Sequence, residues 1–216
     1  MTRVLVEGDS YGLPRINKFS GSVALNYEQT YPYRLQAHLE QQTGEKVLMV
    51  NRCRHANTTW SLVPYEIDEL RFLRPNLVVI ELGLTDLWPA KGRKFSPLYP
   101  ELSGKDPWVS EDEFRYKLSY FTQEAVERGS KVQVVGIPAV AQTQLDKYPE
   151  VYSRIIAYNR ILQSLEDDEG KIKYLDWYRD VVENMGSKSM IGEDGIHPTF
   201  EASEMLAQRI VKKFLV

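Results

Sequence analysis

The feature that most constrains how this chain can fold is a fivefold alternation of short apolar runs with amphipathic stretches. The apolar runs lie at residues 3–6, 46–50, 77–80, 131–135 and 172–175. The amphipathic stretches lie at residues 30–42, 61–73, 110–128 and 151–165, and a last one runs from about residue 200 to residue 214. Because short apolar runs predict buried strands and amphipathic stretches predict helices, this pattern predicts an α/β domain with a parallel sheet and helices on both faces.

Capping residues support these helix boundaries. Ser110 and Glu113 form a capping-box pattern at the start of the helix at 110–128, and Gly129 follows its end. Gly44 is expected to stop the first helix in the same way.

The length and composition are those of one globular domain. The chain has 216 residues, of which 43% are hydrophobic and 26% are charged, so we expect a single domain over residues 1–216. The net charge of −3 argues against a nucleic acid or an anionic membrane as a partner. No apolar run approaches the roughly 18 residues of a transmembrane helix, and no signal-peptide pattern is seen, so a cytoplasmic location is expected. The oligomeric state is left open.

One long irregular stretch precedes the third helix. Residues 88–110 contain four prolines and four aromatic residues. A loop of this length in a compact domain is often a lid or a wall of a binding site. The alternative is a surface insertion without a role in binding.

A candidate nucleophile follows the first predicted strand. In parallel sheets, ligands bind beyond the carboxyl ends of the strands. The first strand ends at Gly8, which allows a tight turn, and Ser10 then lies where backbone N–H groups point outward. This geometry suits a nucleophilic hydroxyl and an oxyanion. Taken alone, the tripeptide is also compatible with an ordinary turn.

A candidate base lies just before the last helix. Asp194 and His197 are three positions apart, so a loop allows the carboxylate to hold one imidazole nitrogen and leave the other free as a base. The other histidines are His38, in a predicted helix, and His55, after the second strand.

These segments, in this order, resemble the motif blocks of the SGNH hydrolases, also called GDSL esterases and lipases, over essentially the whole chain. Gly8-Asp9-Ser10 is similar to the first block, and Asp194-Gly195-Ile196-His197-Pro198 is a close match to the last. Residues 83–86 stand in the place of the family's Gly-x-Asn-Asp, and residues 51–58 resemble the remaining block.

The resemblance implies both a fold and a reaction. The fold would be a three-layer α/β/α sandwich with a five-stranded parallel sheet, similar to flavodoxin in outline. The reaction would be ester hydrolysis in which His197 deprotonates Ser10 and Asp194 orients His197. No metal and no organic cofactor is implied.

Two positions depart from the family's pattern at the expected oxyanion hole. Thr85 stands where the family has asparagine, and Ala56 aligns with the family's glycine. The predicted donors are therefore the N–H groups of Ser10 and Ala56, and Thr85. Loss of one donor can cost about 3 kcal/mol in the transition state.

Six residues are candidate substrate contacts: Asp9, Arg52, Arg54, His55, Asn57 and Trp88. The two arginines can hold a carboxylate or phosphate of a substrate, and the alternative is that they are solvated loop charges. Asn57 is also a candidate for completing the oxyanion hole. For Asp9, a structural turn directed away from Ser10 is expected.

The predicted function is that of a serine esterase acting on short-chain esters, O-acetyl groups above all. The chain contains 13 tyrosines and 4 tryptophans, and aromatic surfaces often stack on sugar rings, so a carbohydrate ester is favoured over another small-molecule ester. One alternative is an O-acetyltransferase that uses the same triad. The other is a non-catalytic carbohydrate-binding protein, for which Thr85 is the main argument.

Overall fold

A computed structural model of the chain describes residues 1–17, 21–63, 65–89, 105–186 and 189–215. The strands are β1 (Thr2–Gly8), β2 (Arg15–Ile16), β3 (Val23–Leu25), β4 (Val47–Asn51), β5 (Leu77–Glu81), β6 (Lys131–Val135) and β7 (Ile172–Leu175). The helices are α1 (Tyr31–Thr43), α2 (Ile67–Leu73), α3 (Leu84–Leu87), α4 (Glu111–Glu127), α5 (Gln142–Lys147), α6 (Glu150–Gln163), α7 (Trp177–Asn184) and α8 (Phe200–Leu215). Short 3-10 turns lie at Ser10–Gly12, Tyr27–Gln29 and Thr59–Leu62.

The expected parallel sheet is confirmed. Within the described part of the chain, five parallel strands form one sheet in the order β4-β1-β5-β6-β7. The chain passes from β1 to the outer strand β4 and then crosses to β5 on the other side of β1. Gly8 at the end of β1 is in register with Glu81 at the end of β5. Open α/β sheets bind ligands at such a reversal of strand order, so the carboxyl ends of β1 and β5 mark the site.

The helices cover both faces of this sheet, which confirms the three-layer α/β/α arrangement. Leu5 and Ile80 point to one face and pack in a core with residues of α2, α4 and α6. Val4 and Val79 point to the other face and pack with residues of α1, α7 and α8. Successive residues of a strand point to opposite faces, and both faces of the central strand β5 are buried, which is why residues 77–80 are apolar without alternation.

Most predicted elements are confirmed, with ends shifted by one or two residues. The helix expected at 61–73 is confirmed only over Ile67–Leu73, because a separate 3-10 turn at Thr59–Leu62 precedes it. Leu62 and Leu70 are buried in the same core, so their spacing resembles that of one helix although two segments supply them. The hairpin β2–β3 and the short helices α5 and α7 were not predicted.

The two ends of the insertion at 88–110 are anchored to the fold. Residues 90–104, and with them most of the predicted lid or binding wall, lie outside the described residues. The N–H of Val109 donates to the carbonyl of Asp86 at 3.1 Å, which ties the far end of the insertion to α3.

None of the helices in the described ranges is long and apolar enough to cross a membrane.

Candidate active site

Ser10 lies in a tight turn directly after β1. The N–H of Asp9 donates to the Glu81 carbonyl at 3.2 Å, which prolongs the pairing with β5 by one residue. The Asp9 carboxylate then caps the 3-10 turn by accepting the N–H of Tyr11 at 2.8 Å. A Cβ at position 8 would lie 2.6 Å from the Cys53 sulfur, so only glycine fits where the strand ends. These contacts hold Ser10 at the carboxyl edge of the sheet.

The side chains of Ser10, His197 and Asp194 form a continuous hydrogen-bonded chain. The Ser10 Oγ lies 2.7 Å from the His197 Nε2. The His197 Nδ1 lies 2.7 Å from the Asp194 Oδ2. The carboxylate favours the tautomer with a proton on Nδ1, which leaves Nε2 as the acceptor for the serine proton.

The loop that carries Asp194 and His197 is internally bonded. The Asp194 Oδ1 accepts the N–H groups of Ile196 and His197 at 3.0 and 2.9 Å. Partial burial alone would raise the pKa of Asp194, but the hydrogen bonds from His197 and Ile196 outweigh it and lower that pKa below its ordinary value. The carboxylate therefore stays ionised near neutral pH.

Ala56 has a backbone conformation that favours glycine. Its φ is +55°, in the left-handed region, within a turn closed by the N–H of Asn57 donating to the Arg54 carbonyl at 3.2 Å. Non-glycine residues rarely adopt this conformation, and those that do are often found near active sites. The conformation explains why a glycine is typical of this position in the resemblance described above.

The Thr85 hydroxyl is engaged by a neighbouring carboxylate. Its Oγ1 donates to the Asp9 Oδ2 at 3.3 Å. Asp9 itself is only 2% exposed, and burial raises its pKa, while hydrogen bonds from Tyr11 and Thr85 act in the opposite direction. Asp9 thus uses its oxygens inside the protein, which favours the structural turn that we expected over a contact with substrate.

The loop after β4 places its predicted contacts differently. Arg52 donates to Glu69, and Arg54 donates to Glu66, so both guanidinium groups are paired with carboxylates of or next to α2. These pairs favour the interpretation of both arginines as loop charges. His55 is exposed.

Two other predicted contacts are buried. The amide nitrogen of Asn57 donates to the Gly8 carbonyl at 3.0 Å, and the side chain ties this loop to the end of β1. Trp88 is 3% exposed and packs edge-on against Tyr148, with ring centroids 5.6 Å apart. Both positions favour a structural role.

Two residues of the site were not identified from the sequence alone. Asp86, 0% exposed, accepts the N–H and the hydroxyl of Thr59 at 2.8 and 2.5 Å, which joins α3 to the turn after β4. Its place in the 83–86 motif was a usable signal. Arg15 on β2 donates to the carbonyl of Pro198, next to His197. No sequence pattern links Arg15 to a residue 183 positions away.

A metal centre has no support in this geometry. Across the described ranges, no group of three or more His, Cys, Asp or Glu side chains could hold a metal ion. The chemistry of the site is that of a serine, an imidazole and a carboxylate in a row.

Comparison with known proteins points in the same direction. A family model described as the GDSL-like lipase/acylhydrolase family matches residues 8–204. No curated protein sequence matches the chain significantly.

Solved structures share the fold. A lipase/acylhydrolase from Enterococcus faecalis has a TM-score of 0.73 at 18% identity, over 99% of this chain and 95% of that one. The acetylxylan esterase Axe2 from Geobacillus stearothermophilus has a TM-score of 0.74 at 17% identity, over 99% and 94%. The protein TesA has a TM-score of 0.66 at 24% identity, over 98% and 97%.

Proposed function

Because this chain belongs to the GDSL-like lipase/acylhydrolase family and is therefore a hydrolase of ester bonds, we propose that it is a serine esterase for short-chain esters, O-acetyl groups on carbohydrate in particular. Ser10 is the proposed nucleophile, His197 the base and Asp194 the residue that orients it. The observation that carries this proposal is the pair of 2.7 Å contacts from the Ser10 Oγ to His197 and from His197 to Asp194.

The proposed reaction proceeds through an acyl-enzyme. The Ser10 Oγ attacks the ester carbonyl carbon while the His197 Nε2 takes the hydroxyl proton. The resulting tetrahedral intermediate collapses, the C–O bond to the alcohol breaks, and His197 returns the proton to the leaving oxygen. Water, deprotonated by His197, then attacks the acyl carbon, the bond to the Ser10 Oγ breaks, and His197 returns the proton to that oxygen as the acid leaves.

The oxyanion of the intermediate needs donors close to Ser10. Backbone N–H groups are the proposed donors: that of Ser10, at the start of a 3-10 turn, and that of Ala56. Within the described residues, neither N–H is engaged by a backbone carbonyl of a turn or loop. Since the Thr85 hydroxyl already donates to Asp9, we propose a hole built from these two backbone donors, with Thr85 acting indirectly.

A short acyl chain is the proposed specificity. The side chains next to the turn of Ser10 are polar: the Asp9 carboxylate accepts the N–H of Tyr11 and the Thr85 hydroxyl. One structure with the same fold is that of an acetylxylan esterase, which makes acetylated xylo-oligosaccharides the first carbohydrate substrates to test.

A fluorophosphonate probe tests the nucleophile directly. We expect mass spectrometry to find the probe on Ser10 and on no other serine, and Ser10→Ala to lower hydrolysis of an aryl acetate by several orders of magnitude. A matched control is Ser153→Ala, since Ser153 is an exposed helical serine whose hydroxyl donates within α6. Labelling at another serine, or none on the folded protein, would contradict the proposal.

A series of aryl esters tests the acyl preference. We expect kcat/KM to fall from acetyl to octanoyl esters, and a rise with chain length would instead favour a lipase or thioesterase. Repeating the acetyl assay with sugar acceptors separates hydrolysis from the alternative of an O-acetyltransferase, because transfer would yield the acetylated sugar in place of acetate. Labelling of Ser10 without turnover would favour the binding-protein alternative.

A further inference from the structure

The loop of the proposed triad is held from outside by β2. Arg15 on β2 is partly buried, and its Nη2 donates to the carbonyl of Pro198, the residue that follows His197. Asn17, two residues further along, donates to Glu193 in the same loop. Since β2 comes directly after the turn of Ser10, this hairpin joins the segment of the nucleophile to the segment of the acid and base.

The opposite side of the loop has uncharged contacts. The Gln144 amide donates to the Asp194 carbonyl at 2.8 Å, and the N–H of Ala141 donates to the Gly195 carbonyl at 2.8 Å. Among the described residues that contact this loop through the hydrogen bonds above, Arg15 is therefore the cation. Burial lowers the pKa of Arg15, and the negative charge of Asp194 partly offsets that effect.

The surroundings of Arg15 are poor for stability alone. Its Nη1 is buried and has no hydrogen-bond partner within the described part of the chain. Desolvating a cation for one carbonyl acceptor is unfavourable compared with an apolar side chain of similar volume. The presence of an arginine here is therefore better explained by its hydrogen bond to the loop than by a gain in stability.

We infer that Arg15 is a positioning residue of the triad, which clamps the loop of Asp194 and His197 and places a positive charge beside it. The inference rests on the proposed function, because it assigns to Arg15 a part in the action of that triad. The clamp limits displacement of the imidazole from Ser10, and a displacement of about 1 Å in an active site can cost on the order of 10²-fold in rate.

The clamp has a readout in the loop itself. The N–H groups of Ile196 and His197 donate to the Asp194 Oδ1 at 3.0 and 2.9 Å. Because the bond from Arg15 holds this loop in place, its loss should increase hydrogen exchange at these two amides.

Two substitutions separate the clamp from the charge. Arg15→Gln removes both, whereas Arg15→Lys keeps the charge and loses the planar fork that reaches the carbonyl. We expect both to lower kcat by about 10- to 100-fold at the pH optimum. Both should increase hydrogen exchange at the amides of Ile196 and His197, and Arg15→Gln should do so by more than Arg15→Lys.

The primary measurement is amide hydrogen exchange followed by NMR, which requires no turnover, and the thermal midpoint of each variant confirms folding. The matched control is Arg128→Gln, because Arg128 also donates to a backbone carbonyl (2.9 Å) and pairs with a carboxylate (2.5 Å), but at the end of α4. The control should leave both the exchange of the Ile196 and His197 amides and kcat unchanged.

The outcomes separate the inference from the function on which it rests. Equal exchange of the Ile196 and His197 amides in the wild type and in folded Arg15→Gln, or an unchanged kcat in an active enzyme, overturns the role of Arg15. If the wild type neither labels at Ser10 nor turns over esters while the increased exchange is observed, the proposed function fails and the clamp by Arg15 stands.

Discussion

At Asp194, burial and hydrogen bonding act on the same carboxyl in opposite directions. Partial burial raises its pKa, and the bonds from His197 and Ile196 lower it by more, so the group remains charged near neutral pH. The charge fixes the imidazole tautomer through the 2.7 Å contact with Nδ1. Asp9 is the reverse case, because burial raises its pKa by more than the hydrogen bonds from Tyr11 and Thr85 lower it.

Replacing the carboxylate by its amide tests the tautomer. We expect Asp194→Asn to lower kcat by about 10⁴-fold on an aryl acetate, because an amide no longer selects the tautomer with a free Nε2. Steady-state kinetics provide the measurement, with Asp180→Asn on α7 as the control. A loss of less than tenfold would show that another group orients His197.

Removing the Thr85 hydroxyl tests the two-donor oxyanion hole. Because this hydroxyl donates to Asp9, we expect Thr85→Val to change kcat by less than about threefold, far below the roughly 10²-fold cost of losing an oxyanion donor. The free energy of unfolding should fall by about 1 kcal/mol, since a buried carboxyl loses a donor. A loss of 10²-fold in kcat would place Thr85 in the hole, and a gain in Thr85→Asn would show that a third donor improves it.

Among the elements, α4 begins where the insertion at 88–110 ends. The Ser110 hydroxyl accepts the N–H of Glu113 at 3.3 Å, and the Glu113 carboxylate accepts the N–H of Ser110 at 3.4 Å, so both halves of the capping box are present. The preceding residue, Val109, is bonded to Asp86 at the site. The cap therefore fixes the point at which the insertion returns to the fold.

Loss of the cap should be measurable in stability. We expect Ser110→Ala to lower the free energy of unfolding by about 1 kcal/mol, because the first turn of α4 loses an acceptor. Urea denaturation monitored by circular dichroism provides the value. Ser153→Ala should stay within about 0.5 kcal/mol of the wild type, and an equal effect of both substitutions would contradict the assignment of the cap.

In the molecule as a whole, carboxyl groups are concentrated at the carboxyl edge of the sheet. Glu7, Asp9, Glu81 and Asp86 are each at most 4% exposed, and burial raises the pKa of every one of them. Such carboxyl groups bind a proton more tightly in the folded state than in the unfolded chain. They make the protein's stability depend on pH in a predictable direction.

Asp86 provides the clearest test of that direction. Burial raises its pKa to about 7 from an ordinary value of 3.8, so between these values the folded state holds a proton that the unfolded chain has lost. The free energy of unfolding should then fall as the pH rises through this window, by up to about 1.4 kcal/mol per unit from this group. Asp86→Asn should reduce the slope measured by urea denaturation between pH 5 and about 7, whereas Asp68→Asn, at an exposed carboxylate, should leave it unchanged. An unaltered slope in Asp86→Asn would contradict the raised pKa.

The strands, most helices and the motif residues could be predicted from local sequence. Residues 131–135 and 172–175 are strands with the predicted bounds, because short runs rich in β-branched and aromatic residues favour strands. The cap at Ser110 needs only residues three positions apart. The hairpin β2–β3 was missed because it is a pair of very short strands whose residues are mostly exposed, so burial imposes no pattern on it.

The contacts of the site depended on tertiary structure. Ser10 and His197 are 187 positions apart, and Arg15 and Pro198 are 183 apart, so their proximity follows from strand order and not from any local pattern. Trp88 illustrates the same limit, because an aromatic residue in a polar stretch can face solvent or the core, and packing against Tyr148 decided for the core. The sequence by itself determined which side chains follow the ends of the strands, because the order of residues along the chain fixes them. The tertiary structure alone decided that Thr85 faces Asp9 and that Arg15 faces the loop of His197, since hydrogen bonds depend on distance in space.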